Sequence, residues 1–278
     1  MEENHFEEYF IAAVFFLVIT LRAFGGYIFK GRRGNRKLVE VDFRPIELKY
    51  KEPLEEHFTY YQNLGAENKR RFESRVQAFI DANEFIPRGY THVTDEMKAL
   101  IAGSAVQLTF GFYHLNFEHF SKILIYPDDY YSRITRKYHA GEVNMRGLVV
   151  LSWRNFVEGY KDHTDGKNLG LHEMAHALRL ENGIENGEYD FIDADLLDRF
   201  HELGVEETRL IKRSQTPFFR HYAAMNMHEF FSVAVENFFE RSEEFRDYHP
   251  ELYNCLSQLL KQDPLKLFPK SNPDSVGF

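Results

Sequence analysis

Apolar positions recur mostly at helical spacing along this chain. Phe72, Val76, Phe79 and Ile80 fall at i, i+4, i+7 and i+8 amid charged neighbours, which predicts an amphipathic helix ending near Pro87-Arg88-Gly89. Thr94 can cap the next helix. Asp95 and Glu96 stand in its first turn, where carboxylates favour the positive end of the helix dipole, and Met97, Leu100, Ile101, Ser104 and Leu108 lie on one side. Two runs read as strands instead: residues 120–126 (FSKILIY), stopped by Pro127-Asp128-Asp129, and residues 147–153 (GLVVLSW), apolar and β-branched. A helix is predicted from about Asn168 to Glu181, terminated by Asn182-Gly183. Further helices are expected around 190–202, 226–240 and 249–261, the last with Pro250 in its first turn. Helices outnumber strands, and both strands precede the 168–181 helix, so the expected class is α+β.

One apolar stretch, Phe10 to Phe29, has the length of about 20 residues that a helix needs to cross a bilayer. Glu2, Glu3, Glu7 and Glu8 precede it, whereas a cleaved secretory signal wants a basic start. Lys30, Arg32, Arg33, Arg36 and Lys37 follow it, and the positive-inside rule places that flank in the cytoplasm. The expectation is therefore a membrane-anchored chain: a single pass, N-terminus out, with the main domain in the cytoplasm. Arg22 is a costly charge within the span. The alternatives are an apolar helix lying on the membrane or docked on the protein, and a soluble cytoplasmic chain. Residues 30–53, with the basic cluster, Gly31, Gly34, Pro45 and Pro53, read as a linker. No Pro/Gly/Ser-rich break or repeat follows before about Pro269. The organisation expected is an anchor with its basic linker over 1–45 and one domain over 46–270.

Composition narrows the function. The chain has 278 residues, 44% of them hydrophobic and 16% aromatic, which suits a buried globular core. A net charge of -9 argues against a general nucleic-acid surface, and no Gly-rich phosphate loop is present. The lone cysteine, Cys255, can form no internal disulfide and excludes a thiolate-rich zinc site. The absence of disulfides fits a reducing compartment.

The chemistry concentrates in His172-Glu173-Met174-Ala175-His176. Histidines four apart on a helix point the same way and can take adjacent corners of a zinc tetrahedron, with Glu173 beside the open position as general base for an activated water. Leu171, Met174, Ala175 and Leu178 form the buried stripe, which leaves the histidines on an adjoining face. A third ligand has to come from downstream, because the residues after His176 (ALRLENG) lack the HExxHxxGxxH continuation. Candidates are Asp190, His201, His221, His228, Glu229 and Glu236. Glu229, Ser232, Val233 and Glu236 share one face of the 226–240 helix, and two carboxylates among Phe230, Phe231, Phe238 and Phe239 are odd for a plain core helix. Pattern alone leaves Glu229 and Glu236 both standing.

The combination of GLVVLSW, LGLHEMAHALRLENG and MNMHEFFSVAVENFFE resembles the MtfA-like, glucose-regulated zinc metallopeptidases, whose zincin core is similar to that of anthrax lethal factor. The likeness runs from about residue 55 to 265 and includes IAGSAVQLTFGF and HPELYNCL. It implies a zincin-like metallopeptidase domain with Zn2+ held by His172, His176 and Glu229, and with Glu173 as base. It also implies an active-site tyrosine at Tyr222, seven residues before Glu229, where a phenol can donate to the oxyanion. Glu236 is left to orient a ligand histidine. In zincin folds the strand before the HExxH helix is the edge strand that pairs with extended substrate, which points to GLVVLSW. The founding member binds a sugar-responsive transcriptional repressor, and the Phe10 to Phe29 segment is a departure from the family. The expected activity is hydrolysis of peptide or protein substrates by zinc-activated water. The alternative is a module that sequesters a regulatory protein partner, with peptidase activity incidental. A purely structural zinc site fits less well, since such sites are usually closed and Cys-rich.

Overall fold

The helices that frame the site begin where short polar side chains cap them. After α1 (Leu48–His57), α2 (Ala66–Ala82) and a four-residue strand β1 (Glu84–Pro87), Thr94 accepts the Met97 N–H at 3.2 Å and starts α3 (Asp95–Thr109). Five strands follow: β2 (Lys122–Tyr126), β3 (Tyr130–Ser132), β4 (Lys137–His139), β5 (Gly141–Asn144) and β6 (Leu148–Ser152). Ser152 caps α4 (Trp153–Lys161), and the Asn168 side-chain oxygen accepts the Leu171 N–H at 2.9 Å at the start of α5 (Leu169–Ile184). Then come α6 (Ala194–Lys212), a 3-10 turn (His221–Ala224), α7 (Met227–Glu240), α8 (Ser242–Tyr248) and α9 (Pro250–Leu259). The computed structural model describes residues 44–113, 117–132, 136–184, 191–215 and 218–268, all within the unit Phe43–Phe278.

The main sheet has the order β1-β2-β6-β5. β1, β2 and β6 are parallel, and β5 runs antiparallel to β6. Ile123, Ile125, Val149 and Leu151 alternate onto one buried face, where the helices cover them. Helix α5 packs against α3, α7, β5 and β6 and is buried nearly all round, with Leu171, Met174, Ala175, Ala177 and Leu178 at or below 1% exposure. Across from it, α7 buries Phe230, Phe231, Val233, Ala234, Val235 and Phe238. Each such Phe withdrawn from water contributes about 1.5–3 kcal/mol, so the contact between the two helices is set by apolar packing before any polar group takes part.

The mostly helical chain with a small sheet agrees with the α+β expectation, and the differences are local. The 30–53 stretch read as a linker contains the start of α1, whose Tyr50 and Leu54 are buried. Strand β1 falls where only a helix end was expected; four residues ending in proline carry no alternation, and pairing to β2 makes the strand. Trp153 opens α4 rather than closing a strand, and α5 runs through Asn182-Gly183 to Ile184. The expectation that GLVVLSW forms the sheet edge is overturned. β6 is hydrogen-bonded on both sides, and β5 is the outer strand. The expectation of a membrane-anchored, single-pass chain is corrected as well. Among the described residues no helix is long and apolar enough to cross a membrane. The 19-residue α6 has the length but carries Asp195, Asp198, Arg199, Glu202, Glu206, Glu207, Arg209 and Lys212. Phe10 to Phe29, on which the expectation rested, lies outside the described residues.

The turn between β5 and β6 depends on Gly147, which has φ +79° and whose N–H reaches the Asn144 carbonyl at 3.1 Å. A Cβ there would stand 2.2 Å from the His119 carbonyl oxygen. Gly147→Ala is expected to cost about 1–3 kcal/mol or more in urea unfolding; an unchanged midpoint would contradict this account of the turn.

Candidate metal centre

Two capped helices bring the site together. Asn226 accepts the N–H groups of His228 (2.9 Å) and Glu229 (3.0 Å), fixing the first turn of α7. Glu229 thus stands at the positive end of that helix dipole, facing His172 and His176 from α5. Among the described residues, His172, His176 and Glu229 form a group whose donor atoms lie within 4.8 Å of one another. His172 Nε2 is 3.2 Å from His176 Nε2 and 3.1 Å from Glu229 Oε2, and His176 Nε2 is 3.4 Å from Glu229 Oε2. Donors about 2.0–2.1 Å from a tetrahedral zinc are about 3.3–3.4 Å apart, so this triangle has the dimensions of one tetrahedral face.

The chemistry of the donors points the same way. His172 Nδ1 donates to Glu236 Oε1 at 2.5 Å, which leaves Nε2 to face the other donors. Two imidazole nitrogens 3.2 Å apart with lone pairs converging repel unless a cation lies between them or one is protonated. Where only protons balance the charge, burial would lower the His172 pKa, but Glu229 and Glu236 outweigh it and raise it to about 10. Glu229 is held well below the ordinary carboxylate range: burial would raise it, and hydrogen bonds to the two histidines prevail. The donors and their immediate partners comprise three carboxylates (Glu173, Glu229, Glu236) and one guanidinium (Arg220). With neutral imidazoles, that set accommodates a divalent cation without excess charge. The residues fit a zinc ion.

Glu236 is 1% exposed and fully engaged. Its Oε1 accepts from His172 Nδ1 and Arg220 Nη2 (2.7 Å), and its Oε2 accepts from the Asn168 N–H (2.9 Å) and Arg220 Nη1 (2.7 Å). Glu173 is buried on the same helix as the histidines, and burial raises its pKa against the opposing pull of His172 and His176. Its carboxylate lies against Gly141 of β5, where a Cβ would come within 2.4 Å of Oε1. Tyr222, on the 3-10 turn, is 44% exposed, with its ring centre 6.0 Å from that of His172. Burial, then the charge and hydrogen bond of Glu229, push its phenol up to about 12.

Of the residues singled out from sequence, the structure brings together His172, Glu173, His176, Tyr222, Glu229 and Glu236. His201 and His221 are exposed and away from the donor group, His228 stays outside it, and Asp190 lies outside the described residues. Arg220 and Gly141 were not anticipated. Neither carries a local signal, since one acts across 16 residues of sequence and the other through a backbone approach. Asn168 and Asn226 were not named as caps either, though each carries a local signal, a short polar residue immediately ahead of LGLHE and MHEFF.

A family model described as glucose-regulated metallo-peptidase M90 matches residues 30–261. An uncharacterized protein of Synechocystis is 26% identical over 238 residues, covering 80% of this chain and 86% of that protein. The Mlc titration factor A of Edwardsiella ictaluri is 27% identical over 225 residues, covering 73% of this chain and 84% of its own. The Mlc titration factor A of Escherichia coli is 29% identical over 177 residues, covering 57% and 65%.

The Gly141 contact yields a test. An added methyl meets the carboxyl group and Cγ of Glu173 rather than backbone, so that side chain is what gives way. Gly141→Ala is expected to melt cooperatively and bind zinc as the wild type does, while peptide hydrolysis falls at least about tenfold. Wild-type turnover in that variant would show that β5 does not position Glu173.

Proposed function

The chain belongs to the glucose-regulated M90 metallopeptidase family, and on that premise we propose that it is a zinc-dependent peptidase that hydrolyses peptide bonds in a zincin-like domain over residues 46–270. The observation that carries the reading is the triangle of His172, His176 and Glu229 donor atoms, with Glu173 buried on the same helix. Zinc, when bound, supplies Lewis acidity, polarising a carbonyl and lowering the pKa of water toward neutrality.

The residues divide the remaining work. His172, His176 and Glu229 hold the ion, and Glu236 fixes the His172 ring through Nδ1. Glu173 takes the proton of the attacking water on its carboxylate and passes it to the leaving amine; a pKa raised by burial suits both transfers better than an ordinary carboxylate would. Tyr222, whose phenol stays protonated through neutral pH, donates to the oxyanion developing on the substrate carbonyl. Strand β5 offers its outer edge to an extended peptide, whose backbone would pair there beside Glu173.

A second reading takes its support from the relatives named Mlc titration factor A: the chain would bind a regulatory protein through the same domain, with hydrolysis incidental. The buried Glu173 favours catalysis, since a module that only binds has no use for a base at that position.

Zinc content and peptide hydrolysis of three proteins separate these readings. Glu173→Gln is expected to retain zinc and lose at least about a hundredfold in kcat. Glu229→Ala is expected to lose zinc. A fully active Glu173→Gln would defeat the catalytic assignment, and a wild type inactive on a broad peptide panel would favour the binding module. Chelation of the wild type should lower its melting temperature and added zinc restore it; a melting curve indifferent to both argues against a zinc site.

A further inference from the structure

Glu236 does not hold its own position. A carboxylate on a helix can swing about three side-chain torsions, and this one is fixed by the forked guanidinium of Arg220. Nη1 donates to Oε2 and Nη2 to Oε1, each at 2.7 Å, in the bidentate geometry that matches a planar fork to a carboxylate. The same Nη1 donates to the Gly166 carbonyl at 2.7 Å, tying in the loop that leads to Asn168 and α5. Arg220 immediately precedes the 3-10 turn that carries Tyr222, and its guanidinium carbon lies 5.8 Å from the centre of the Tyr222 ring, within cation–π range. One side chain therefore touches the approach to α5, the carboxylate on α7 that engages His172, and the phenol on the turn between α6 and α7.

We propose that Arg220 is a positioning residue of the peptidase site: by clamping Glu236 it sets the orientation of the His172 imidazole, and by packing over Tyr222 it places the phenol relative to that ring. The proposal rests on the peptidase reading above. A strut that merely ties the Gly166 loop to α7 would not need the bidentate match to Glu236, for which one hydrogen bond would serve. Lysine keeps the charge and one bond but cannot present the fork. The substitution thus separates charge from geometry.

Arg241 is the control. It is a half-buried arginine on the next turn of chain after α7, donating to the Phe218 carbonyl and to Asn237, and it reaches no metal-site residue. The experiment compares wild type, Arg220→Lys, Arg241→Lys, Glu236→Gln and the double variant Arg220→Lys/Glu236→Gln. Its readouts are zinc affinity by chelator competition, the visible absorption of the cobalt-substituted protein, kcat and KM on a peptide, and melting temperature. Arg220→Lys is expected to bind zinc about ten- to a hundredfold more weakly, to shift the cobalt spectrum, and to lose kcat with KM little changed. Arg241→Lys should move only the melting temperature. If Arg220 acts through Glu236, the double variant binds zinc no more weakly than Glu236→Gln alone; an additive loss overturns that route. Should Arg220→Lys not fold, Arg220→Gln, which keeps a planar donor, takes its place in the same comparison. An Arg220 variant that melts earlier but keeps wild-type zinc affinity and cobalt spectrum makes the residue a strut and overturns the proposal alone. A wild type that binds neither metal overturns the peptidase reading and this proposal with it.

Discussion

A buried carboxylate accepting four hydrogen bonds is the interaction on which the site depends. Glu236 lies on α7 among phenylalanines, where an unpaired negative charge would be prohibitively costly. Burial would push its pKa up, and the hydrogen bonds and charges of His172 and Arg220 hold it down. Because His172 Nδ1 is engaged there, the ring turns Nε2 toward His176 and Glu229. Because the Asn168 N–H is engaged there too, the residue that caps α5 is fixed to the helix facing it. One anion thus orients a histidine ring and locks two helices in register.

The apolar framework explains why such a centre is affordable at all. Helix α5 is sandwiched between α3, α7 and strands β5 and β6, and Leu171, Met174, Ala175, Ala177 and Leu178 are withdrawn from water. A helix so confined cannot rotate by even one residue without exposing its packing face, so the direction of its two histidines is settled by neighbours that have no chemistry of their own. Rigid helices hold the donor atoms; a turn and an edge strand supply Tyr222 and the Gly141 backbone against Glu173.

Much of this was readable from spacing. The i, i+4 histidines with Glu173 between them, the cap at Thr94, the two inner strands and the proline-started helix at Pro250 all follow from local rules and recur in the structure. What escaped were features made by partners distant in sequence. β1 is a strand because β2 lies beside it. GLVVLSW is internal because β5, a short run of mixed polarity, occupies its outer side. The membrane anchor was drawn from length and flanking charge over Phe10 to Phe29, and no helix among the described residues bears it out.

The division at the metal centre follows the same line. By itself the sequence determined which groups stand one helical turn apart: His172 with His176 on α5, and, two turns apart on α7, the carboxylates Glu229 and Glu236. It left those two carboxylates equivalent, because periodicity places both on one face, and a family resemblance was needed to prefer one. Only the tertiary structure distinguished their surroundings. Glu229 reaches the Nε2 side of His172 together with His176, whereas Glu236 reaches the Nδ1 side, already saturated by Arg220 and the Asn168 N–H. The physical reason is that an imidazole has two nitrogens on opposite edges, and which carboxylate meets which edge is set by how α7 lies against α5. That relation is encoded in packing across more than fifty residues of chain, beyond the reach of any local pattern.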